Sequence, residues 1–208
     1  MLRRNDLRRY RAIQELHVPG RQAKILSEAM LRRMLSHTRH STDPLRDQAI
    51  ILLSVKAGLR ACEIAGLNWS MILDARGSIS RVLTIEDRIA KRGSGRRIPL
   101  HRDLHSVLVK LRKQDGGQGP VIRSSRGGAM RPNSIVNWFV TLYDELGFDG
   151  CSSHSGRRTF ITSAARNAHK AGGCLRDVQL LAGHRSLSVT QGYIDGDSDA
   201  QRRLVALI

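Results

Sequence analysis

The chain has 208 residues, with 35 Lys and Arg against 18 Asp and Glu, a formal charge of +17 and a pI near 11.3. That length suits one globular domain with a short appendage, and a folded chain this basic is expected to meet a polyanion. No stretch approaches the ~20 apolar residues of a membrane span and no apolar signal core opens the chain, so a soluble, cytoplasmic protein without a membrane partner is expected.

Cysteine usage points the same way: Cys62, Cys151 and Cys174 are too scattered for a disulfide framework or a structural zinc site. Aromatic residues make up 4% of the chain, which disfavours a single-strand binder that stacks bases on aromatic platforms and leaves duplex backbone as the expected polyanion.

Residues 1–26 are polar and basic without a sustained period and read as an N-terminal arm containing Arg3, Arg4, Arg8, Arg9 and Arg11. Ser27 is placed to cap a helix through residue 36, with Met30, Leu31, Met34 and Leu35 on one stripe. Asp43-Pro44 starts a second helix whose apolar run, residues 50–55, ends at Gly58, and this helix is expected to be buried. Over residues 79–100, Val82, Leu83 and Ile85 favour strand, Gly93-Ser94-Gly95 makes a turn, and Ile98 resumes the strand before Pro99, giving a β-hairpin with a very basic tip. Helical spacing returns at Leu104, Val107, Leu108 and Leu111, then at Ile135, Phe139, Leu142, Tyr143 and Leu146 before Gly147. The last third is helical over residues 160–168 and 175–181, broken at Gly172-Gly173 and Gly183. Asp199 is placed to cap a short tail helix with Leu204, Val205, Leu207 and Ile208 apolar. The expected fold class is mostly α with a small antiparallel β-sheet, organised as an arm (1–26), one domain (27–194) and a tail helix (195–208).

Each polar residue at an element end has a plain structural reading. Arg60 caps a helix and pairs with Glu63 at i+3. Lys91, Arg92, Arg96 and Arg97 form a solvated basic turn. His154 and Arg157, three apart, share a side only if a helix begins there; His184 after Gly183 complements a helix dipole, and Tyr193 is a packing residue with a wet hydroxyl.

Their order says more. Gly58-Leu59-Arg60-x-x-Glu63, a turn lysine eight residues before the Pro99 of Arg97-Ile98-Pro99-Leu100, His154-x-x-Arg157, Leu181-Ala182-Gly183-His184 and a Tyr193 nine residues later resemble the tyrosine recombinases, the phage integrase family. The resemblance runs from Ser27 to Tyr193 and implies the tyrosine-recombinase catalytic-domain fold. It implies a site-specific recombinase or integrase that cuts and rejoins DNA through a covalent 3′-phosphotyrosyl intermediate. It casts Arg60 and Arg157 as the catalytic arginines, Lys91 as the hairpin lysine, His154 and His184 as the histidines and Tyr193 as the nucleophile. The implied partners are double-stranded DNA, other copies of the chain in a tetrameric synapse on DNA, and an accessory or full-length recombinase.

The chemistry asks for these residue types independently. Attack on a phosphodiester builds negative charge that guanidinium forks stabilise, a role for Arg60 and Arg157 with His184 as an added donor. A phenol is a poor nucleophile at neutral pH, so Tyr193 needs a base, for which His154 is the candidate. The departing 5′-oxygen needs a proton, which Lys91 is placed to deliver, and Glu63 holds Arg60. Arg92, Arg96, Arg97, Arg158, Arg3 and Arg4 are expected to contact DNA. No Asp/Glu cluster accompanies the set and there is no nucleotide-binding glycine loop, so no metal, ATP or other cofactor is expected.

Two departures from the family pattern stand out. Only 26 residues precede Ser27, where most members carry a helical domain that closes around DNA; a naturally short enzyme and a catalytic fragment are both compatible with this. Gly156 stands inside His-x-x-Arg where Leu or Met is common, and looser local packing is expected there. Competing readings are a type IB topoisomerase-like enzyme that relaxes one duplex, a recombinase-like regulator that binds without cutting, and a basic RNA-binding protein, for which no motif is present.

Overall fold

The computed structural model describes residues 23–193 and, beyond them, residues 202, 205, 206 and 208. Arg3 and Arg4 of the expected arm, and Asp199, Leu204 and Leu207 of the expected tail helix, lie outside the described residues.

Local signals set most element ends. Ser27 Oγ accepts from Met30 N at 3.2 Å and starts α1 (Glu28–His37), which buries Leu31 and Met34. Asp43 Oδ1 accepts from Arg46 N at 3.2 Å, Pro44 occupies the first helical turn, and α2 (Pro44–Ala57) runs to Gly58 in the left-handed conformation. Ile50, Ile51, Leu52, Leu53 and Val55 are all buried, so α2 is covered on every side, as expected for the central helix. Arg60 then opens a short α3 (Ala61–Gly66) that sequence periodicity does not reveal, because two turns are too few to show a stripe.

The sheet has two antiparallel strands, β1 (Val82–Ile85) and β2 (Arg96–Pro99), in the register Leu83↔Ile98 and Ile85↔Arg96. Their inward residues Leu83, Ile85 and Ile98 join the core. Four further helices follow the sheet: α4 (Arg102–Asp115), α5 (Pro132–Leu146), α6 (Ser155–Asn167) and α7 (Leu175–Ala182). A one-turn α8 (Leu187–Gln191) precedes Tyr193. The fold is therefore mostly helical with a small antiparallel sheet, as its composition and patterning indicate.

Two hydrophobic clusters divide the labour. The large one is built from α1–α5 and the sheet, and it includes Leu26, whose N–H donates to Thr159 Oγ1 at 2.8 Å; ordered packing thus begins ahead of Ser27. The small one joins α6 to α7 through Ile161, Val178 and Ala182, with Tyr193 packed against it.

At Gly156 the structure corrects the expectation of loose packing. A Cβ there would collide with Ser54 Oγ and fall 2.9 Å from Ser54 Cβ, so α6 crosses α2 at near-backbone contact. A Leu at this position has no room, and we expect Gly156→Leu to destabilise the fold by ~1–3 kcal/mol or more through overpacking. Thermal unfolding checks this, with a lowered midpoint for Gly156→Leu; an unchanged midpoint contradicts the close crossing.

Candidate active site

The chain ends of α2, α6, α7 and α8 and the β1–β2 connection converge on one region. Arg60 sits at the N-cap of α3, immediately after the left-handed turn at Gly58. Glu63 one turn on is fully buried, and its Oε2 accepts from Arg60 N at 2.8 Å while Oε1 accepts from Arg60 Nη1 at 2.9 Å. These two bonds, both donated by Arg60, fix the start of α3 and aim the Arg60 side chain. His154 caps α6, so the helix begins where His154 and Arg157 need it to begin to share a face.

Arg157 is 2% exposed, and its Nη1 and Nη2 donate to the carbonyls of Gly58 and Ala182, each at 2.6 Å. One guanidinium thus ties the end of α2 to the end of α7. Burial first, then repulsion from Arg60, brings its pKa down to about 10, which leaves it charged at neutral pH.

His184 follows Gly183, whose left-handed conformation ends α7, and its Nδ1 lies 2.9 Å from Thr190 Oγ1. The Gln179 amide clasps its backbone, donating to His184 O at 2.9 Å. Desolvation, followed by the charges of Arg157, Arg60 and Arg96, pushes the His184 pKa down to about 4, so the ring is neutral at pH 7. The Tyr193 ring stacks on it with centroids 5.3 Å apart and planes 25° apart. Thr162 Oγ1 donates to Tyr193 O at 3.3 Å, pinning the backbone of the candidate nucleophile to α6.

His154 stands at the open rim. Desolvation by the surrounding protein, then the charges of Arg157, Arg60 and Lys91, hold its pKa below the ordinary 6.5, so this ring too is neutral at pH 7. Lys91 is exposed, its carbonyl held by Ser94 Oγ at 2.9 Å. Next to it Arg92 has φ +62°, the left-handed region unusual for a residue with a side chain, and its carbonyl accepts from Arg185 Nη2 at 2.6 Å. That bond fastens the hairpin tip to the segment following His184.

Arg157 and Arg60 thus act electrostatically on both His154 and His184, Lys91 acts on His154, and Tyr193 lies within electrostatic reach of Arg157. The residues expected to touch DNA divide. Arg92 and Arg97 are exposed on the hairpin, beside a cleft of about 370 Å³ that Gln179, His184 and Arg185 line from the other side. Arg158 is half-buried, with Nε lacking a partner. Arg96 corrects the expectation: its side chain is 4% exposed and turned inward onto Glu63, so it is not a surface contact. Burial decides between neighbours in a basic run, and in a strand alternate side chains face opposite ways.

Sequence reading missed Arg185, and it missed a larger basic cleft of about 630 Å³ lined by Arg46, Arg126 and Arg131 with Ser124, Ser125 and Ser134. Its residues come from two distant stretches, Arg46 and residues 124–134, and only the fold gathers them.

The sequence model of the phage integrase family matches residues 24–199. The chain belongs to this family, the tyrosine recombinases. Among relatives of these recombinases, the tyrosine recombinase XerC of Pelobacter propionicus is 32% identical over 164 residues, covering 77% of this chain and 51% of that protein. The chain spans about half the length of the curated relatives it matches. The crystal structure of XerA recombinase superposes with a TM-score of 0.71 at 21% identity, over 91% of this chain and 65% of that one. The Tn1549 transposon integrase in complex with a circular intermediate DNA gives a TM-score of 0.69 at 18% identity, over 98% and 78%. The tyrosine recombinase catalytic fold is thus shared. Among the described residues no helix is long and apolar enough to cross a membrane.

Proposed function

We propose that this chain is the catalytic domain of a site-specific recombinase, acting where the host keeps its DNA in the cytoplasm. In this reading it cuts and rejoins duplex DNA through a 3′-phosphotyrosyl intermediate. The observation that carries the reading is the Tyr193 ring stacked on a neutral His184 next to the buried, charged Arg157.

In the forward step Tyr193 Oη attacks the scissile phosphorus and the P–O5′ bond breaks. His154, neutral at pH 7, is able to accept the phenol proton. Arg60 and Arg157 face the charge that grows on the nonbridging oxygens with preorganised guanidinium donors. His184 Nδ1 lies 2.9 Å from Thr190 Oγ1; in the tautomer where Thr190 donates, the ring proton sits on Nε2 and supplies a neutral donor. Lys91 protonates the leaving 5′-oxygen. Rejoining reverses each transfer: a 5′-hydroxyl attacks, Tyr193 leaves and recovers its proton, and the phosphodiester energy is conserved without ATP. Arg97 and Arg185 line the cleft beside His184 and, with the exposed Arg92, hold backbone phosphates; Arg3 and Arg4 extend that grip. Leu180, Leu187 and Val189, exposed at 54%, 43% and 50%, give an apolar surface beside the nucleophile for neighbouring copies on paired sites.

The test uses duplexes selected for binding from a randomised pool and nicked so that cleavage traps the adduct. The 3′-phosphate side of the cut should stay on the protein, in EDTA and without ATP. Replacing the bridging 5′-oxygen by sulfur provides a leaving group that needs no proton. It should restore cleavage by Lys91→Ala but not by Arg157→Ala. A protein-linked 5′-phosphate refutes the polarity, and Lys91→Ala that stays slow on the sulfur substrate removes Lys91 from the acid role.

A further inference from the structure

Arg96 lies at the start of β2, and its guanidinium makes three bonds that no exposed DNA contact would make. Nη1 donates to Glu63 Oε1 at 2.9 Å, Nη2 donates to Glu63 Oε2 at 3.0 Å, and Nε donates to the Leu181 carbonyl at 2.9 Å. The fork therefore joins the strand that follows Lys91, the helix that Arg60 caps, and the last turn before His184. Glu63, fully buried between the two arginines, is held below the ordinary carboxylate value: burial alone would raise it, but the bonds and charges of Arg96 and then Arg60 outweigh that.

Each Glu63 oxygen accepts one bond from Arg96 and one from Arg60. A carboxylate has about four acceptor positions, so Arg96 occupies half of them. Arg60 is thereby limited to a single guanidinium bond, through Nη1. Without Arg96, Glu63 has two free lone pairs in a buried setting, and Arg60, already bonded to it through Nη1 and its backbone N–H, has further N–H groups to offer. Arg60 would then turn to face the carboxylate with both forks, and its charge would be neutralised. Two arginines on one carboxylate instead leave a surplus positive charge at the site, and Arg96 is one of the charges that keep His184 neutral.

We propose that Arg96 is a positioning residue: by saturating half of Glu63 it keeps the Arg60 guanidinium turned toward the reacting phosphate. This rests on the role proposed above for Arg60. Lys cannot substitute, because one ammonium does not span two carboxylate oxygens and a carbonyl with the planar fork's geometry.

The experiment is a double-mutant cycle in single-turnover cleavage of the nicked duplex, using Arg60→Ala, Arg96→Lys, Arg96→Met and the combinations with Arg60→Ala, with DNA affinity and circular dichroism measured in parallel. Arg96→Lys keeps the buried charge and is the variant of choice where Arg96→Met loses its fold. Arg60→Ala and Arg96→Lys should each slow cleavage on the order of 10²-fold. Adding Arg96→Lys to Arg60→Ala should slow it by less than about 3-fold more, since the two act as one unit. DNA affinity should stay within about 3-fold of wild type. On a methylphosphonate at the scissile position, where the charge facing Arg60 is removed, both penalties should shrink together. Fully multiplicative losses, wild-type cleavage by Arg96→Lys, a matching loss of DNA affinity, or loss of the native fold in both Arg96 variants would overturn the proposal and leave a purely structural arginine. Wild-type cleavage by Arg60→Ala would instead overturn the role of Arg60, and this inference with it.

Discussion

Tyr193→Phe should fold, bind duplex DNA with the affinity of the wild-type chain and form no protein-linked strand. The ring of Tyr193 is what packs on Ile161, Val178 and Ala182 and stacks on His184, and Phe keeps the ring. The hydroxyl has no hydrogen-bond partner among the described residues, so its removal orphans nothing in the fold. What disappears is the atom proposed to form the phosphoester. Cleavage should fall by ~10⁴-fold or more, to background, as when the nucleophile of a covalent enzyme is deleted. Single-turnover assays on nicked duplex read this directly. Adduct at the wild-type level in Tyr193→Phe would mean that another group attacks.

Arg157→Ala should produce the next largest loss, on the order of 10²- to 10³-fold in cleavage, because a buried guanidinium fork is a preorganised donor for the developing charge. It should also unfold more easily, since the Gly58 and Ala182 carbonyls, each bonded at 2.6 Å, lose their donor. The contrast is Arg97→Ala: that side chain is exposed, so its loss should weaken DNA binding and flatten the salt dependence while trapped complexes cleave at the normal rate. Measuring the cleavage rate at saturating protein separates the two effects. Equal losses in rate and affinity for both variants would erase the distinction between the site and its rim.

Much of the arrangement was legible in the chain because its causes are local. Ser27, Asp43-Pro44, Gly58, Gly147 and Gly183 act on the residues next to them, and each marks the helix end expected of it. The spacing from His154 to Arg157 and from His184 to Tyr193 carries the site because short segments fix those separations. Arg96 and Gly156 were misjudged for one shared reason, that their partners are remote. The carboxylate that turns Arg96 inward is 33 residues away, and the carbonyl that completes its fork is 85 away. Gly156 meets Ser54 on a helix from the first third of the chain. The short helices α3 and α8 show no periodicity through shortness alone. The Arg46, Arg126 and Arg131 cleft escapes it because no sequence window contains all three.

In the proposed reaction Tyr193 joins covalently to the 3′-phosphate of a cut DNA strand. Trapping the wild-type chain on a nicked duplex, digesting the adduct with protease and nuclease, and sequencing the modified peptide by mass spectrometry tests this. The expected product is a nucleotide attached through its 3′-phosphate to Tyr193 of the peptide containing Thr190 and Gly192. A nucleotide on any other side chain, or efficient cutting that leaves no covalent peptide at all, would contradict it.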